Sequence, residues 1–317
     1  MTKKTAIVFP GQGSQHPGMG RDLARGNAAA RAVFEEVDDA LGEALSSIIW
    51  DGPSETLTQT RNAQPAIMAM SIAVLRAMES AGLPLRTASF LAGHSLGEYT
   101  ALCAAGALTL ADTARLLRIR GDAMQAAVGG QDCAMAAILG LAYDDVAALV
   151  AEAARSGICG IANDNDPVQQ VISGHTEAVE AGMALARDAG SKRAVRLNVS
   201  APFHCALMEP AAGIVFDALQ SVDTKRPSIP VLANVNATPY ASVEAITINL
   251  RDQVTHTVRW RESQLWLAAN GVKVMLEVGP GSVLTGLARR TIRSVPCQPV
   301  GTAEQIAAAM DALSRYD

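Results

Sequence analysis

The stretch Leu91 to Tyr99 reads L-A-G-H-S-L-G-E-Y, and we interpret it as the centre around which the chain is organised. Residues 87–92 before it are short and apolar enough for a buried strand, and residues 96–105 after it are rich in helix formers. Residues 93–97 between them fit the G-x-S-x-G pattern in a strand, turn and helix context. A sharp turn leaves no space for side chains beside the serine, so both glycines have a steric purpose.

Ser95 is therefore a candidate nucleophile. The turn would lift its Oγ off the sheet at the start of the following helix. There the amide of Leu96 and the positive end of the helix dipole would face a negative charge forming on an attacked carbonyl, which is half of an oxyanion hole. A merely flexible turn would explain the five residues taken alone, but the flanking strand and helix favour a nucleophile.

The composition limits the classes of function. The chain has 317 residues and 49% apolar content, enough for one large domain or two. A net charge of -5 without a long run of either sign argues against nucleic acid as the principal partner. The longest apolar stretch, 66–75, is far shorter than the roughly 20 residues that span a bilayer, and no signal-peptide pattern opens the sequence. We therefore expect a cytoplasmic protein that does not bind membranes. We expect its five cysteines to be buried thiols rather than disulfides or metal ligands.

A second glycine-rich loop, P-G-Q-G-S-Q at 10–15, follows an apolar strand predicted over 5–9. It does not fit a phosphate-binding loop, because His16 stands where G-x-G-x-x-G needs glycine and no Gly-Lys-Ser/Thr follows. It could supply the second N–H donor of an oxyanion hole if its strand neighbours the strand before Ser95. An ordinary strand-to-helix turn is the alternative.

The remaining periodicity predicts a large α/β domain interrupted by a small one. Helices are predicted over 27–41, over 65–78 with Pro65 in the first turn, and over 110–127, which carries Arg115, Arg118 and Arg120. Residues 130–198 read β-α-β-β-α-β, the ferredoxin-like order, so we divide the chain into 1–129, the insert 130–198, and 199–317. The last part is predicted to hold strands and helices in the following order: strand 229–233, helices 243–253 and 260–269, strand 272–278, helices 282–290 and 303–314.

His204 is the best candidate for a general base. It ends the loop 198–204, through which the chain returns from the insert, and it follows Ser95 in the order expected when a histidine activates an elbow serine. For this histidine taken alone, a structural role is an equal alternative.

Five motifs in one order carry a resemblance to a known family. They are F-P-G-Q-G-S-Q at 9–15, G-H-S-L-G-E-Y at 93–99, R-G-D-A-M-Q at 120–125, A-P-F-H-C-A-L-M at 201–208 and E-V-G-P-G-S-V-L at 277–284. Together they closely resemble the malonyl-CoA:acyl carrier protein transacylases of fatty-acid synthesis, in the acyltransferase superfamily, and they cover essentially the whole chain.

The resemblance implies an α/β-hydrolase-like large domain with a parallel sheet core, a ferredoxin-like insert, and an active site in the groove between them. By motif match Ser95 would be the nucleophile and His204 its base, and the backbone N–H groups of Gln12 and Leu96 would form the oxyanion hole. Arg120 would hold the malonyl carboxylate, for which a bidentate guanidinium is a natural partner.

The resemblance implies roles in the site for two further residues, and near some of its motifs this sequence differs from the family's pattern. Gln253 matches the residue whose main-chain carbonyl orients the histidine, although the following T-H-T-V-R-W is unlike the family's usual sequence. Phe203 resembles a malonyl-selective pattern, in which a bulky ring leaves little space for an α-methyl branch. N-D-N-D-P at 163–167 stands where the family more often has N-S-P, so a place for Asn165 at the groove mouth is left open.

The implied chemistry is a ping-pong transfer through a malonyl-serine ester, and it needs no metal or prosthetic group. We expect the protein to be a monomer. Acyl carrier protein would be the acidic partner, and the densest basic clusters available for docking are Lys192 with Arg193, and Arg289 with Arg290 and Arg293. Three alternatives stay open: a discrete acyltransferase for a polyketide synthase, a serine thioesterase or other hydrolase, and a non-catalytic docking module.

Overall fold

The computed structural model describes residues 4–199 and 201–314, so Ser200 in the predicted loop 198–204 lies outside the described residues. The strands are β1 (Lys4–Phe9), β2 (Ala88–Gly93), β3 (Cys133–Leu139), β4 (Cys159–Asp166), β5 (Gln169–His175), β6 (Arg193–Arg196), β7 (Val272–Val278) and β8 (Cys297–Val300). The helices are α1 (Arg21–Gly26), α2 (Ala28–Leu41), α3 (Leu45–Asp51), α4 (Ser54–Thr58), α5 (Thr60–Ser80), α6 (Leu96–Ala104), α7 (Leu110–Ala126), α8 (Tyr143–Ala153), α9 (Thr176–Asp188), α10 (Glu209–Gln220), α11 (Val243–Gln253), α12 (Trp260–Ala269), α13 (Val283–Thr291) and α14 (Ala303–Ser314).

The larger sheet is parallel and has the order β2-β1-β7-β8. Its strands are buried on both faces: Ile7 and Phe9 of β1 pack into one hydrophobic cluster, whereas Ala6 and Val8 pack into the other. This alternation is the period-2 pattern of a strand between two layers of helices. Phe9 lies beside Gly93 in the register, so the loops after β1 and β2 leave the same edge of the sheet.

The smaller sheet is antiparallel, with the order β4-β5-β3-β6. All its strands come from the segment predicted as a ferredoxin-like insert, and α8 and α9 pack on it through a separate hydrophobic cluster. The fold class is therefore as predicted, a parallel α/β domain combined with a smaller α/β unit.

The prediction that Pro65 opens a helix was wrong. Helix α5 begins at Thr60 and carries Pro65 in its interior. Proline has no N–H, so the carbonyl of Arg61, four residues earlier, loses its helical donor. That carbonyl accepts a hydrogen bond from Arg118 Nη1 at 2.7 Å instead. An arginine on the neighbouring helix α7 thus replaces the missing bond.

The strand predicted over 229–233 is also absent as a regular strand. Val231 forms one parallel bridge with Leu91, and Leu232 forms one antiparallel bridge with Pro239. The chain turns back at once, because the carbonyl of Ala233 accepts from the amide of Ala237. This reversal limits the pairing with β2 to a single bridge.

The cysteines and the membrane prediction can be compared with the structure directly. All five cysteines are free, with Cys205 and Cys297 buried and the other three half-buried. No helix within residues 4–199 and 201–314 is long and apolar enough to cross a bilayer.

Candidate active site

The turn between β2 and α6 has the geometry that the G-x-S-x-G pattern predicts. Ser95 adopts φ 54° and ψ -112°, a strained conformation for a residue with a side chain. A Cβ added to Gly93 would lie 1.9 Å from the carbonyl carbon and oxygen of Gly97, and one added to Gly97 would lie 2.3 Å from Phe9 O. The steric reason for both glycines is therefore confirmed.

Asn234 fastens this turn, and no sequence pattern singled it out. Its Oδ1 accepts from the amide of Ser95 at 2.8 Å, and its Nδ2 donates to the carbonyl of Gly93 at 2.8 Å. One side chain, 139 residues further along the chain, thus holds the backbone on both sides of the elbow.

His204 lies beside the serine, with its Nε2 2.8 Å from Ser95 Oγ. Its Nδ1 lies 2.7 Å from the main-chain oxygen of Gln253, which can only accept, so Nδ1 carries the proton and Nε2 is free to accept. Burial, followed by the nearby charge of Arg120, lowers the pKa of His204 to about 3. The histidine is thus neutral and able to take a proton from the serine over the physiological pH range.

Arg120 is the one member of the predicted arginine trio that reaches the serine. Its side chain is 1% exposed, and its Nη2 donates to Ser95 Oγ at 3.1 Å and to Gln253 Oε1 at 2.8 Å. Its Nη1 donates to Gln64 Oε1 at 2.7 Å. Among the described residues these acceptors are all neutral, and no carboxylate lies within ion-pair distance of Arg120. Arg115 and Arg118 instead bind acidic and main-chain partners away from Ser95.

Glu98 lies behind the site, on the first turn of α6, and is fully buried. Its Oε2 accepts from Gln253 Nε2 at 2.6 Å and from the amide of Asn234 at 3.1 Å, and its Oε1 accepts from the Tyr240 hydroxyl. Burial raises the pKa of Glu98 to about 7, although these hydrogen bonds and the charge of Arg120 act in the opposite direction. This glutamate stands within the elbow motif, but no sequence pattern assigns it a role.

The two residues predicted to form the oxyanion hole both line the cavity that contains Ser95. β1 and β2 are neighbours, as the interpretation of the first loop required, and Gly11 packs so closely that an added Cβ would lie 2.8 Å from His94 O. Leu96 opens α6, where first-turn amides have no partner inside the helix. Gln12 and Leu96 line the same cavity as Ser95.

This cavity has a volume of about 170 Å³. It is smaller than the roughly 300 Å³ at which pockets for drug-sized ligands begin, so it suits a short acyl group. The large domain contributes Arg120, His204 and Phe203 to the wall, and the insert contributes Met135 and Asn163. The predicted groove between the two parts of the chain is therefore present in the structure.

Asn165, whose place was left open, contacts the elbow instead of lining the cavity. Its Oδ1 accepts from His94 Nε2 at 2.9 Å, and the side chain is 7% exposed. His94 also makes an edge-on contact with the ring of Trp260, with the centroids 5.7 Å apart. The insert thereby holds the residue that precedes the serine.

The predicted basic clusters differ in their availability. Arg290 Nε lies 2.5 Å from Asp166 Oδ2, so this arginine joins α13 to the insert. Arg289 and Arg293 are exposed, as are Lys192 and Arg193 on the insert. Within the described ranges, no group of three or more His, Cys, Asp or Glu side chains is arranged to hold a metal ion.

Comparison with known proteins extends the agreement over the whole chain. The acyl transferase domain family matches residues 6–311. A malonyl CoA-acyl carrier protein transacylase of Bacillus subtilis is 42% identical over 311 residues, which cover 98% of this chain and 97% of that protein. The crystal structure of an acyl-carrier-protein-S-malonyltransferase from Bartonella henselae superposes with a TM-score of 0.96 at 54% identity, covering 98% of this chain and 99% of the other.

A further solved structure contains a malonyl-transacylase in complex with an acyl-carrier protein of a type II polyketide synthase. It is 39% identical, with a TM-score of 0.94, and the match covers 98% of this chain and 99% of that one. Because the family match begins in β1 and ends in α14, it takes in both glycine-rich loops and the histidine loop, and the chain belongs to the acyl transferase domain family.

Proposed function

We propose that the protein transfers the malonyl group of malonyl-CoA to the phosphopantetheine thiol of acyl carrier protein, for fatty-acid synthesis. The observation that carries the proposal is the convergence of two groups on Ser95 Oγ: a neutral imidazole acceptor at 2.8 Å and a buried guanidinium at 3.1 Å. The first suits a nucleophile, and the second suits an acyl chain that ends in a carboxylate. The names of the relatives and of the structural neighbours support this substrate and this acceptor.

In the first half-reaction, Ser95 Oγ attacks the thioester carbon while its proton moves to His204 Nε2. The amides of Gln12 and Leu96 stabilise the oxyanion, and the main-chain oxygen of Gln253 stabilises the imidazolium through Nδ1–H. The carbon–sulfur bond then breaks, His204 returns the proton to the departing coenzyme A thiolate, and a malonyl-serine ester remains.

In the second half-reaction the phosphopantetheine thiol attacks the ester, His204 takes the thiol proton, and the serine leaves as that proton is returned to it. The chemistry uses side chains and backbone amides, with no metal or prosthetic group. The protein is expected to act as a monomer. We also assign the enzyme to the cytoplasm, since its five free thiols suit a reducing compartment.

The role of Arg120 follows from its surroundings. This guanidinium is 1% exposed and donates to neutral oxygens, with no carboxylate among the described residues in direct contact, and a malonyl carboxylate would supply that contact. Phe203, 8% exposed in the wall of the cavity, would limit the space for an α-methyl branch. We therefore expect efficient malonyl transfer, poor methylmalonyl transfer and negligible acetyl transfer.

The test is incubation with malonyl-CoA followed by intact-mass analysis and peptide mapping. One malonyl group on Ser95 is the expected result, with Ser95→Ala as the unlabelled control, and addition of carrier protein should move the group to its thiol. Steady release of free malonate without carrier protein would identify a hydrolase instead. If no malonyl adduct forms with or without carrier protein, the protein would be a non-catalytic docking module.

A second candidate is a discrete acyltransferase that serves a polyketide synthase, which the neighbour solved with a polyketide carrier protein favours. The chemistry is the same, and only the acceptor differs. Comparing kcat/KM for the fatty-acid and polyketide carrier proteins of the source organism separates the two, since the physiological acceptor should be used with the higher value.

A further inference from the structure

The starting observation is the way the side chain of Gln253 joins two buried ionisable groups. Its Oε1 accepts from Arg120 Nη2 at 2.8 Å, whereas its Nε2 donates to Glu98 Oε2 at 2.6 Å and to the carbonyl of Ser95 at 3.0 Å. Gln253, Glu98 and Arg120 are all buried, with exposed fractions of 0%, 0% and 1%. The amide therefore bridges a carboxylate behind the site and a guanidinium inside it.

The orientation of that amide decides whether Arg120 Nη2 keeps Gln253 Oε1 as an acceptor beside Ser95 Oγ. A flipped amide would turn its NH₂ group toward the guanidinium, which has donors only, and its oxygen toward acceptors only. Glu98 is the acceptor that opposes the flip most strongly, because its Oε2 lies 2.6 Å from Gln253 Nε2, closer than the carbonyl oxygen of Ser95 at 3.0 Å.

We propose that Glu98 is a positioning residue for the substrate carboxylate: through the side chain of Gln253 it holds Arg120 in the cavity. This inference rests on the proposed function, in which Arg120 binds the malonyl carboxylate. Glu98 touches neither substrate nor Ser95 Oγ, and His204 is oriented by the main chain of Gln253 rather than by its side chain. Loss of Glu98 should therefore weaken malonyl recognition more than it weakens the nucleophile.

The surroundings of Glu98 support a defined role over a merely packed side chain. Four groups from different parts of the chain converge on its carboxylate: the Tyr240 hydroxyl, the Asn234 amide, the Gln253 amide and the charge of Arg120. A buried carboxylate is costly to retain, and an apolar residue would suit a position with no further duty. Tyr240 and Asn234 hold Glu98 in place from behind, which leaves Gln253 as its contact toward the site.

The experiment measures kcat/KM and KM for malonyl-CoA and acetyl-CoA in Glu98→Ala, Glu98→Gln, Arg120→Ala and the double variant Glu98→Ala/Arg120→Ala. Glu98→Ala should lower kcat/KM for malonyl-CoA about tenfold or more, mainly through KM, because it removes the partner of a buried donor. Acetyl-CoA should change less than about threefold. Glu98→Gln keeps an oxygen facing Gln253 and should recover most of the loss.

The double variant distinguishes action through Arg120 from a general effect on the fold. If Glu98 acts through Arg120, Glu98→Ala should cost little more once Arg120 is already absent, so the two effects are not additive. Additive losses, or equal losses for both acyl groups, would overturn the inference. Tyr240→Phe removes one contact that holds Glu98 and leaves Gln253 untouched, so any loss that it causes should fall on malonyl transfer rather than on acetyl transfer.

Gln253→Met covers the case in which Glu98→Ala does not fold. It removes the bridge but keeps the main-chain oxygen that His204 uses, so the same malonyl-selective loss is expected. If Arg120→Ala leaves the malonyl to acetyl ratio unchanged, the proposed role of Arg120 and this inference fail together. If Arg120→Ala changes the ratio while Glu98→Ala and Gln253→Met do not, this inference alone fails.

Discussion

Glu98 and His204 should make the stability of the protein depend on pH in opposite directions. Burial raises the pKa of Glu98 from 4.5 to about 7. Between these values the folded protein keeps a proton that the unfolded chain has released, so stability falls as pH rises. Burial, followed by the charge of Arg120, lowers the pKa of His204 from 6.5 to about 3. In that interval the unfolded chain holds the extra proton, so stability rises with pH.

The magnitudes follow from about 1.4 kcal/mol for each pKa unit. From about pH 5 to about pH 8, Glu98 should remove roughly 2 to 3 kcal/mol from the free energy of unfolding, and His204 should add roughly 2 kcal/mol. The two contributions nearly cancel in the wild-type protein. Glu98→Gln removes the contribution of Glu98 and leaves that of His204. From about pH 5 to about pH 8, the free energy of unfolding of this variant should therefore rise by roughly 2 to 3 kcal/mol relative to that of the wild type.

Urea unfolding of both proteins at the two pH values measures this gain. Effects of the substitution that do not depend on pH cancel in the difference, and carboxylates common to both proteins cancel as well. His204→Asn is the reciprocal variant, and it should lose roughly 2 kcal/mol relative to the wild type as pH rises over the same range. A difference between wild type and Glu98→Gln that is constant with pH would show that Glu98 titrates as an exposed carboxylate, and the reasoning would be refuted.

Three further predictions concern catalysis and docking. His204→Ala should bind malonyl-CoA but form the acyl-enzyme very slowly, and near-normal acylation in rapid-mixing experiments would remove the histidine from the mechanism. Arg120→Ala should lose malonyl transfer by about 2 kcal/mol or more, about 30-fold in kcat/KM, while keeping or gaining activity toward acetyl-CoA; an unchanged ratio of the two substrates would exclude its role. Replacing Arg289 and Arg293 by glutamate should raise KM for carrier protein but not for malonyl-CoA, and unchanged values would place docking elsewhere. Arg290 is left intact in that variant because it binds Asp166.

The parts of the fold that the sequence predicted well are those with strong local patterns. The elbow at Ser95 combines a short apolar strand, two sterically required glycines and a helix, and each of these signals lies within a few residues of the others. The β-α-β-β-α-β order of the insert was likewise visible as alternating periodicities. The position of Pro65 within helix α5 was not predicted correctly. The carbonyl of Arg61, which loses its helical donor at Pro65, accepts instead from Arg118, and this donor lies 57 residues further along the chain.

The polar support of the site could not be predicted in the same way. Asn234, Gln64 and Glu98 have no spacing that marks them as partners of Ser95 or Arg120, because their contacts span between 56 and 139 residues of sequence. The family resemblance supplied Gln253 only as a main-chain acceptor, and its side chain adds the bridge to Arg120. Sequence motifs thus predicted residues that the structure brings together around Ser95, whereas the residues that orient them required the three-dimensional structure.

The four residues of the segment N-D-N-D at 163–166 have different partners. Asn163 lines the cavity and Asn165 holds His94, whereas Asp164 and Asp166 bind Arg261 and Arg290. The register of β4 against β5 shifts between Asp164 and Asp166, so this part of the strand is irregular. Both aspartates are buried, at 1% and 0% exposure, and a buried carboxylate that loses its partner costs several kcal/mol. Movement of the insert away from α12 and α13 would therefore break both ion pairs. One strand thus contributes Asn163 to the cavity wall and joins that wall to α12 and α13 through Asp164 and Asp166.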